Sequence, residues 1–351
     1  MTAAPHPPVI VALDTQLAVG TATGIGVYER DLAAALRNEG VDVRELRAPR
    51  LDPWRFDRRV LWDQVLLPRQ AARSGATLLH AASGTMPLLR TLPTVVTVHD
   101  LAWHRVQAHT RAYARAYFGK LQSHAYKSAA AIICDSTFSA NEYHALIDPN
   151  AHIDVVHPGV DPRFATLTRR PEETPFALVT GTVEARKNLE VLIEALPHVP
   201  GLRIISAGPP TPYADTIRAR AAALHVADRI ELRGYVPRED LDDLYARATC
   251  ALVPSRYEGF GYALAESMCA GVPVIAARSS SLIEVANGKI PLIEPYDASA
   301  WAEAIRTLLA NRDEAERHAR AIRTETAERF AWSKAARATI AVYERVQNAR
   351  K

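Results

Sequence analysis

The sequence has 351 residues, with 42 Lys+Arg against 39 Asp+Glu and 48% apolar content. At about 150 residues per domain this implies two domains, and the composition is that of a globular protein, not of a disordered, collagen-like or coiled-coil chain. A net charge of +3 is too small to indicate nucleic acid, which needs a clustered basic face, although the arginine-rich basic set is suited to phosphate.

No apolar run approaches the ~20 residues of a membrane helix. Met1 to Pro8 has neither the basic start nor the apolar stretch of a signal peptide. Cys134, Cys250 and Cys269 lie far apart in apolar contexts and read as reduced core thiols. No Cys or His spacing compels a metal. The expectation is a cytoplasmic protein that needs no metal ion or cofactor.

Along the first half, short apolar runs predict strands at Val9–Asp14, Val41–Leu46, Leu78–Ala81, Thr94–His99, Ala131–Asp135 and Ile153–His157. Helical patterns at Val27–Arg37, Asp57–Ala72, Thr110–Ser128 and Ser139–Leu146 separate them. The second half predicts strands at Phe176–Thr180, Arg203–Ala207, Arg229–Arg233, Cys250–Val253 and Val274–Ala276. Its helices fall near Leu189–Leu196, Tyr213–Leu224, Asp240–Arg247, Tyr262–Ala270, Ala298–Ala310 and Glu314–Arg329. Near-continuous apolar strands alternating with helices indicate an α/β chain with parallel sheets covered on both faces. A polar stretch from Phe164 to Thr174 reads as a linker. The expected domains are residues 1–165 and 166–332, followed by a final helix within 333–351. Ligands of such sheets bind at the carboxyl ends of strands, so a cleft between the domains is the expected site.

The strongest motif runs from Pro254 to Ile275 and contains Glu258-Gly-Phe-Gly-Tyr262 and Glu266. Eight residues on one helix would set the two carboxylates about 12 Å apart along the axis and some 80° apart around it. That spacing would let Glu258 and Glu266 touch two parts of one elongated polar ligand. In Gly181-Thr-Val-Glu-Ala-Arg186-Lys187-Asn188, Asn188 is a plausible helix cap. Two cations before a helix start are unfavourable unless an anion is shared there. Gly24 and Gly26 sit in a glycine-containing segment, Gly20 to Glu29, that would let backbone approach a phosphate. His99 ends an apolar strand beside Asp100, and a buried, hydrogen-bonded core histidine is the alternative reading of it.

The stretch from Glu258 to Glu266 resembles the Glu-x₇-Glu signature of retaining glycosyltransferases of family 4, whose fold, GT-B, has two Rossmann-like domains. The resemblance implies that Glu258 approaches the donor sugar and Glu266 holds the ribose. It implies that Arg186 and Lys187, after the Gly181 turn, bind the donor diphosphate. The Gly24 and Gly26 loop would close over the phosphates, and His99 would contact the sugar near the reacting carbon. Gly259, Phe260, Gly261 and Tyr262 would orient the sugar, and Tyr235, after Gly234, would lie near the base. Because the leaving phosphate accepts the acceptor's proton in this family, no protein base is assigned.

Thr23-Gly-Ile-Gly-Val-Tyr28, Leu61-Trp-Asp-Gln-Val-Leu-Leu-Pro68 and Val98-His-Asp-Leu101 look like polysaccharide and O-antigen mannosyltransferases. The resemblance makes GDP-mannose the first expected donor and a UDP-hexose the second, with a glycan or lipid-linked acceptor in surface polysaccharide synthesis. Ser279-Ser-Ser281 stands where relatives carry Gly-Gly, which loosens the donor assignment. The acid-free segment from Leu101 to Cys134, with interleaved Arg, Lys and aromatic residues, could dock on an anionic membrane or serve as an ordinary interface helix. A nucleotide-sugar epimerase of the same fold and a non-catalytic nucleotide-sugar binder are the alternatives.

Overall fold

The computed structural model describes residues 9–20, 24–105 and 112–349. The Met1–Pro8 start, Thr23, and His109 and Arg111 of the basic segment lie outside them. The chain separates into two compact units, one running to Gly159 and resuming at Ala331, the other Val160–Phe330.

Six parallel strands form the sheet of the first unit: β1 (Ile10–Asp14), β2 (Asp42–Leu46), β3 (Leu78–Ala81), β4 (Thr94–Val98), β5 (Ala131–Cys134) and β6 (Ile153–Val155). Their spatial order is β2-β1-β3-β4-β5-β6. The central strands β3, β4 and β5 are buried throughout, which is why they read as unbroken apolar runs. Helix Trp332–Asn348 belongs to this unit and buries Ala335, Ala336, Val342, Tyr343 and Val346 against the β1 side of its core.

The second unit has β7 (Phe176–Thr180), β8 (Arg203–Ala207), β9 (Ile230–Gly234), β10 (Cys250–Val253), β11 (Val274–Ala277) and β12 (Leu292–Ile293). Their order is β12-β11-β10-β7-β8-β9, which in the unit's own numbering is 3-2-1-4-5-6 read from the other edge. This is the dinucleotide-binding order, whose crevice opens where the order reverses, between β7 and β10. The corresponding reversal in the first sheet falls between β1 and β3.

Three sequence expectations need correction. The stretch Phe164–Thr174 is not a free linker: Asp161 caps the short helical turn Pro162–Thr166, and Phe164 is buried in the second unit's core. The unit boundary therefore lies at 159/160, ahead of 165/166. The helices expected over Asp57–Ala72 and Thr110–Ser128 each contain a widened π-type segment, Trp62–Leu66 and Ala116–Leu121. These face each other, with Tyr117 Oη donating to Asp63 at 2.9 Å and Gln64 Nε2 donating to Tyr117 Oη at 3.0 Å. The two-residue strand β12 carries too little pattern to have been expected.

Cys134, Cys250 and Cys269 are buried free thiols. Among the described residues no helix is long and apolar enough to cross a membrane.

Candidate active site

At the reversal in the second sheet, two loops meet. After β7 the chain turns at Gly181, whose φ of +117° is a conformation that only glycine adopts readily. Gly208, after β8, lies so close to this turn that a Cβ there would meet the Gly181 carbonyl oxygen at 1.9 Å. The loop then makes a single helical turn, Ala185–Lys187, and reverses at Asn188 in the left-handed region. Asn188 does not cap the next helix with its side chain. Its Nδ2 instead donates to Pro254 O at 3.0 Å and Pro295 O at 2.6 Å, fastening the basic turn to the end of β10. Arg256 N–H donates to Arg186 O at 2.7 Å and closes the same seam.

Glu258 lies on the second loop, not on the helix. Gly261, at φ +98°, forms the left-handed entry to a helix that starts only at Tyr262, so the helical spacing of Glu258 and Glu266 does not hold. A Cβ on Gly261 would stand 2.6 Å from Leu282 Cδ2. The Glu258 side chain is 8% exposed. It accepts from Lys187 Nζ at 2.6 Å and from Arg186 Nη1 at 3.1 Å. Burial alone would raise its pKa, but Lys187 and Arg186 outweigh burial and hold it at about 2. Arg186 also pairs with Glu184 at 2.8 Å. The two cations and the carboxylate thus form one compact ion cluster at the mouth of the crevice.

Ser279, Ser280 and Ser281 hold that loop in place. Ser280 Oγ accepts from Glu258 N–H at 2.9 Å. Ser281 Oγ lies 2.9 Å from Glu258 O and 2.8 Å from Phe260 O, and its single proton is shared between them. Ser279 Oγ donates to Ser255 O at 2.5 Å. The departure from Gly-Gly is therefore a substitution of side-chain fastening for backbone freedom.

Glu266 sits one helical turn inside the helix, where Tyr245 Oη donates to it at 3.0 Å. Burial pushes its carboxyl up to about 7, and Tyr245 and nearby cations only partly oppose this. Tyr245 is fully buried and also meets Thr180 Oγ1 at 3.2 Å. Sequence reasoning missed it, because one tyrosine in the helix Arg238–Arg247 carries no signal. Phe260 points into the core edge-on to Phe330 and Tyr262, so only its backbone and that of Gly259 can serve a ligand. Tyr235 follows β9 and is 55% exposed.

The first unit places its expected residues differently. Gly24 and Gly26 do not form a loop but open the helix Gly24–Asn38. A Cβ on Gly26 would meet Leu17 O at 2.2 Å, so this glycine is required for helix packing. His99 follows β4 with both ring nitrogens engaged, Nδ1 with Asp135 Oδ2 at 2.7 Å and Nε2 with Ala82 O at 2.8 Å. Burial lowers the pKa of this ring, but Asp135 and the Ala82 carbonyl reverse that and raise it overall. In the segment read as either a membrane face or an ordinary interface helix, Tyr117 is buried while Tyr113 is exposed; Tyr113, Tyr117 and Phe118 pack on Phe56, and Phe118 stacks on Trp103. Leu61 to Pro68 contributes buried Trp62 and Asp63, with Trp62 Nε1 donating to Asp14 at 3.0 Å.

The comparisons follow the same division. Residues 22–164 match the family described as Glycosyltransferase Family 4, and residues 164–325 match Glycosyl transferases group 1. The chain is 31% identical over 213 residues to the D-inositol 3-phosphate glycosyltransferase of Mycolicibacterium smegmatis, a match covering 56% of this chain and 48% of that protein. The chain spans about half the length of the curated relatives it matches. Among solved structures it superposes on sucrose-phosphate synthase from Thermosynechococcus elongatus with a TM-score of 0.79 at 21% identity, covering 97% and 100% of the two chains. It also superposes on Anabaena HepE, solved in complex with UDP-glucose, with a TM-score of 0.68 at 16% identity, covering 97% and 98%. With two six-stranded parallel sheets and consecutive matches to both domains, the chain belongs to the group 1, family 4-like glycosyltransferases of GT-B fold.

Proposed function

We propose that the protein is a retaining hexosyltransferase whose second unit binds a nucleotide diphosphate sugar and whose first unit supplies the acceptor pocket. The observation that carries this reading is the convergence of Arg186 and Lys187 on one buried carboxylate at the β7–β10 reversal. Two cations held within reach of one anion form a site for a diphosphate, which presents more negative charge than Glu258 and more acceptor oxygens. Binding then proceeds by exchange: the diphosphate takes the cations and Glu258 is released toward the sugar. Its charge there favours the cationic character that the sugar acquires as the bond to phosphate weakens. Glu266, oriented by Tyr245, takes the ribose hydroxyls. His99 serves as a positioning group, held by Asp135.

For the donor, a UDP-hexose is the better-supported choice. A fold neighbour carries UDP-glucose, and neither the inositol phosphate glycosyltransferase nor the sucrose-phosphate synthase is named for mannose. GDP-mannose remains the competing donor. Arg186 and Lys187 meet the diphosphate charge, so the reading calls for no divalent metal, and activity should survive chelation.

The test is incubation with each donor alone and then with candidate acceptors. Slow hydrolysis to sugar and nucleoside diphosphate, and transfer with the donor's anomeric configuration kept, support the reading. Conversion of donor to its epimer would replace it with an isomerase. A thermal-shift panel of nucleoside diphosphates ranks the bases, since ligand at 100 times its Kd adds about 2.7 kcal/mol of stability.

A further inference from the structure

The proposed acceptor pocket is a cavity of about 500 Å³ at the carboxyl ends of β1, β3 and β4, lined in part by Trp54, Arg59, His99 and Asp100. In the same reading the donor sugar is met in the other unit, at the loop after β10. Because β10 and β11 pair side by side, the serine run that follows β11 lies against that loop. Its three hydroxyls are not equivalent.

Each serine hydroxyl has one proton to give. Ser279 Oγ gives its proton to Ser255 O, and Ser281 Oγ shares its proton between Glu258 O and Phe260 O. Ser280 is the reverse case. Its Oγ accepts from Glu258 N–H at 2.9 Å, and among the described residues its own proton has no acceptor within hydrogen-bond distance. Ser281 is fully buried, whereas Ser280 is half-buried. A hydroxyl held in place through a lone pair keeps its O–H for a ligand.

The backbone singles out the same residue. Ser280 has a φ of +45°, in the left-handed region, which glycine enters freely and a residue with a Cβ enters only with strain. A run that only had to turn would be served better by glycine here, and Ser281 already fastens the loop through two carbonyls. Strain kept at such a position points to the side chain as what is needed there. Beside it, the Glu258 carboxylate accepts hydrogen bonds but cannot donate them, and a hexose presents hydroxyls that do both. Ser280 supplies the missing donor.

We propose that Ser280 is a specificity-determining residue for the donor, its O–H donating to one hydroxyl of the hexose beside Glu258. The inference rests on the transferase reading and deepens it. A site that hydrogen-bonds a particular hydroxyl discriminates strongly against a sugar lacking it, so Ser280 selects among hexoses and not among bases.

The experiment is calorimetric titration of the full chain with UDP, UDP-glucose and the analogues of UDP-glucose that each lack one sugar hydroxyl, in the wild type and in Ser280→Ala. GDP, GDP-mannose and its deoxy analogues form a parallel set, and the set with the tighter-binding parent is scored. Ser280→Ala should leave affinity for the free nucleoside diphosphate unchanged, which also reports that the variant is folded. It should weaken the nucleotide sugar by about tenfold. In the wild type one analogue should show the same loss. In Ser280→Ala that analogue and its parent should bind alike, while the other analogues keep their differences. Ser280→Gly, free of the strained φ, should melt higher than Ser280→Ala and show the same coupling to the same hydroxyl. Equal weakening of UDP, the nucleotide sugar and all its analogues, or no change in any, overturns the proposal and leaves the hydroxyl as a fastening of the loop. If UDP or GDP binds while the coupling is absent, only the role of Ser280 falls. If neither nucleotide binds the wild type, the transferase reading falls and this inference with it.

Discussion

The mouth of the second sheet and the pocket of the first occupy equivalent positions, each at the reversal of a doubly wound sheet, yet they are built in opposite ways. In the second unit the charged groups are few, close together and placed at the opening: Arg186, Lys187 and Glu258 form a cluster whose members are 25%, 19% and 8% exposed. In the first unit Asp14, Arg59 and Asp63 are buried beneath the pocket and bonded to one another through Ser83 and Thr85. A partly buried cluster at an opening can exchange a partner for a ligand anion. A buried network is fixed, because leaving any one member unpaired is costly. The first architecture suits exchange with a charged group, the second a rigid floor beneath a pocket.

The comparison breaks most visibly if the cations are removed. Replacing both Arg186 and Lys187 with alanine leaves Glu258 without its partners and should cost about 3–5 kcal/mol of stability. Turnover should also fall by about 1.5–3 kcal/mol for each lost contact to the diphosphate. Thermal denaturation and steady-state kinetics measure both, and an unchanged melting temperature would mean that the cluster is not a coupled unit.

Glu258→Gln should lower kcat by about a hundredfold or more, the scale of losing one electrostatic stabiliser. It has a second signature. With a folded pKa near 2, Glu258 contributes stability that is present above its ordinary range near 4.5 and is lost as pH falls toward 2. The Gln variant lacks that contribution, so its stability should decline less steeply between pH 4.5 and 2.

Ser281→Ala sharpens the role of the serine staple. The hydroxyl meets two carbonyls within the Glu258 loop, and its loss should cost about 1–3 kcal/mol. Turnover should fall further than nucleotide affinity, because the residue displaced is Glu258. Equal losses in both would reduce the serines to general packing.

The smallest effect concerns Glu266. Its pKa is raised to about 7, so the folded state holds an extra proton between pH 4.5 and 7. Stability therefore declines as pH rises through that window and levels off above it. The carboxylate form of Glu266, proposed above to accept ribose hydroxyls, forms in the same range. Nucleotide affinity should rise from pH 6 to 8 in the wild type and stay flat in Glu266→Gln.

Much of the second unit was legible because its chemistry is local. Gly181 to Asn188 and Pro254 to Gly271 are contiguous, and their glycines mark turns that the structure contains. What could not be read were the partnerships: that Glu258 closes on the basic pair, that Asn188 ties two loops, that Tyr245 supports Glu266. Each joins residues 20 or more positions apart. The first unit was legible as strands, whose apolar runs reflect burial on both faces, but not as a pocket. Its walls come from scattered segments, and Arg59, Asp63 and Asp14 each look like a solvated charge until the fold buries them. Gly26 misled for a related reason: a glycine needed for close helix packing has the same sequence appearance as one needed for a ligand.

Exchange at the cluster is tested most directly by calorimetric titration of UDP and GDP into the wild type, Lys187→Ala and Glu258→Gln. The account predicts opposite signs: Lys187→Ala loses affinity by about tenfold or more, while Glu258→Gln keeps or gains affinity because both cations are released. Loss of affinity in Glu258→Gln comparable to that in Lys187→Ala, or no change in either, would contradict it.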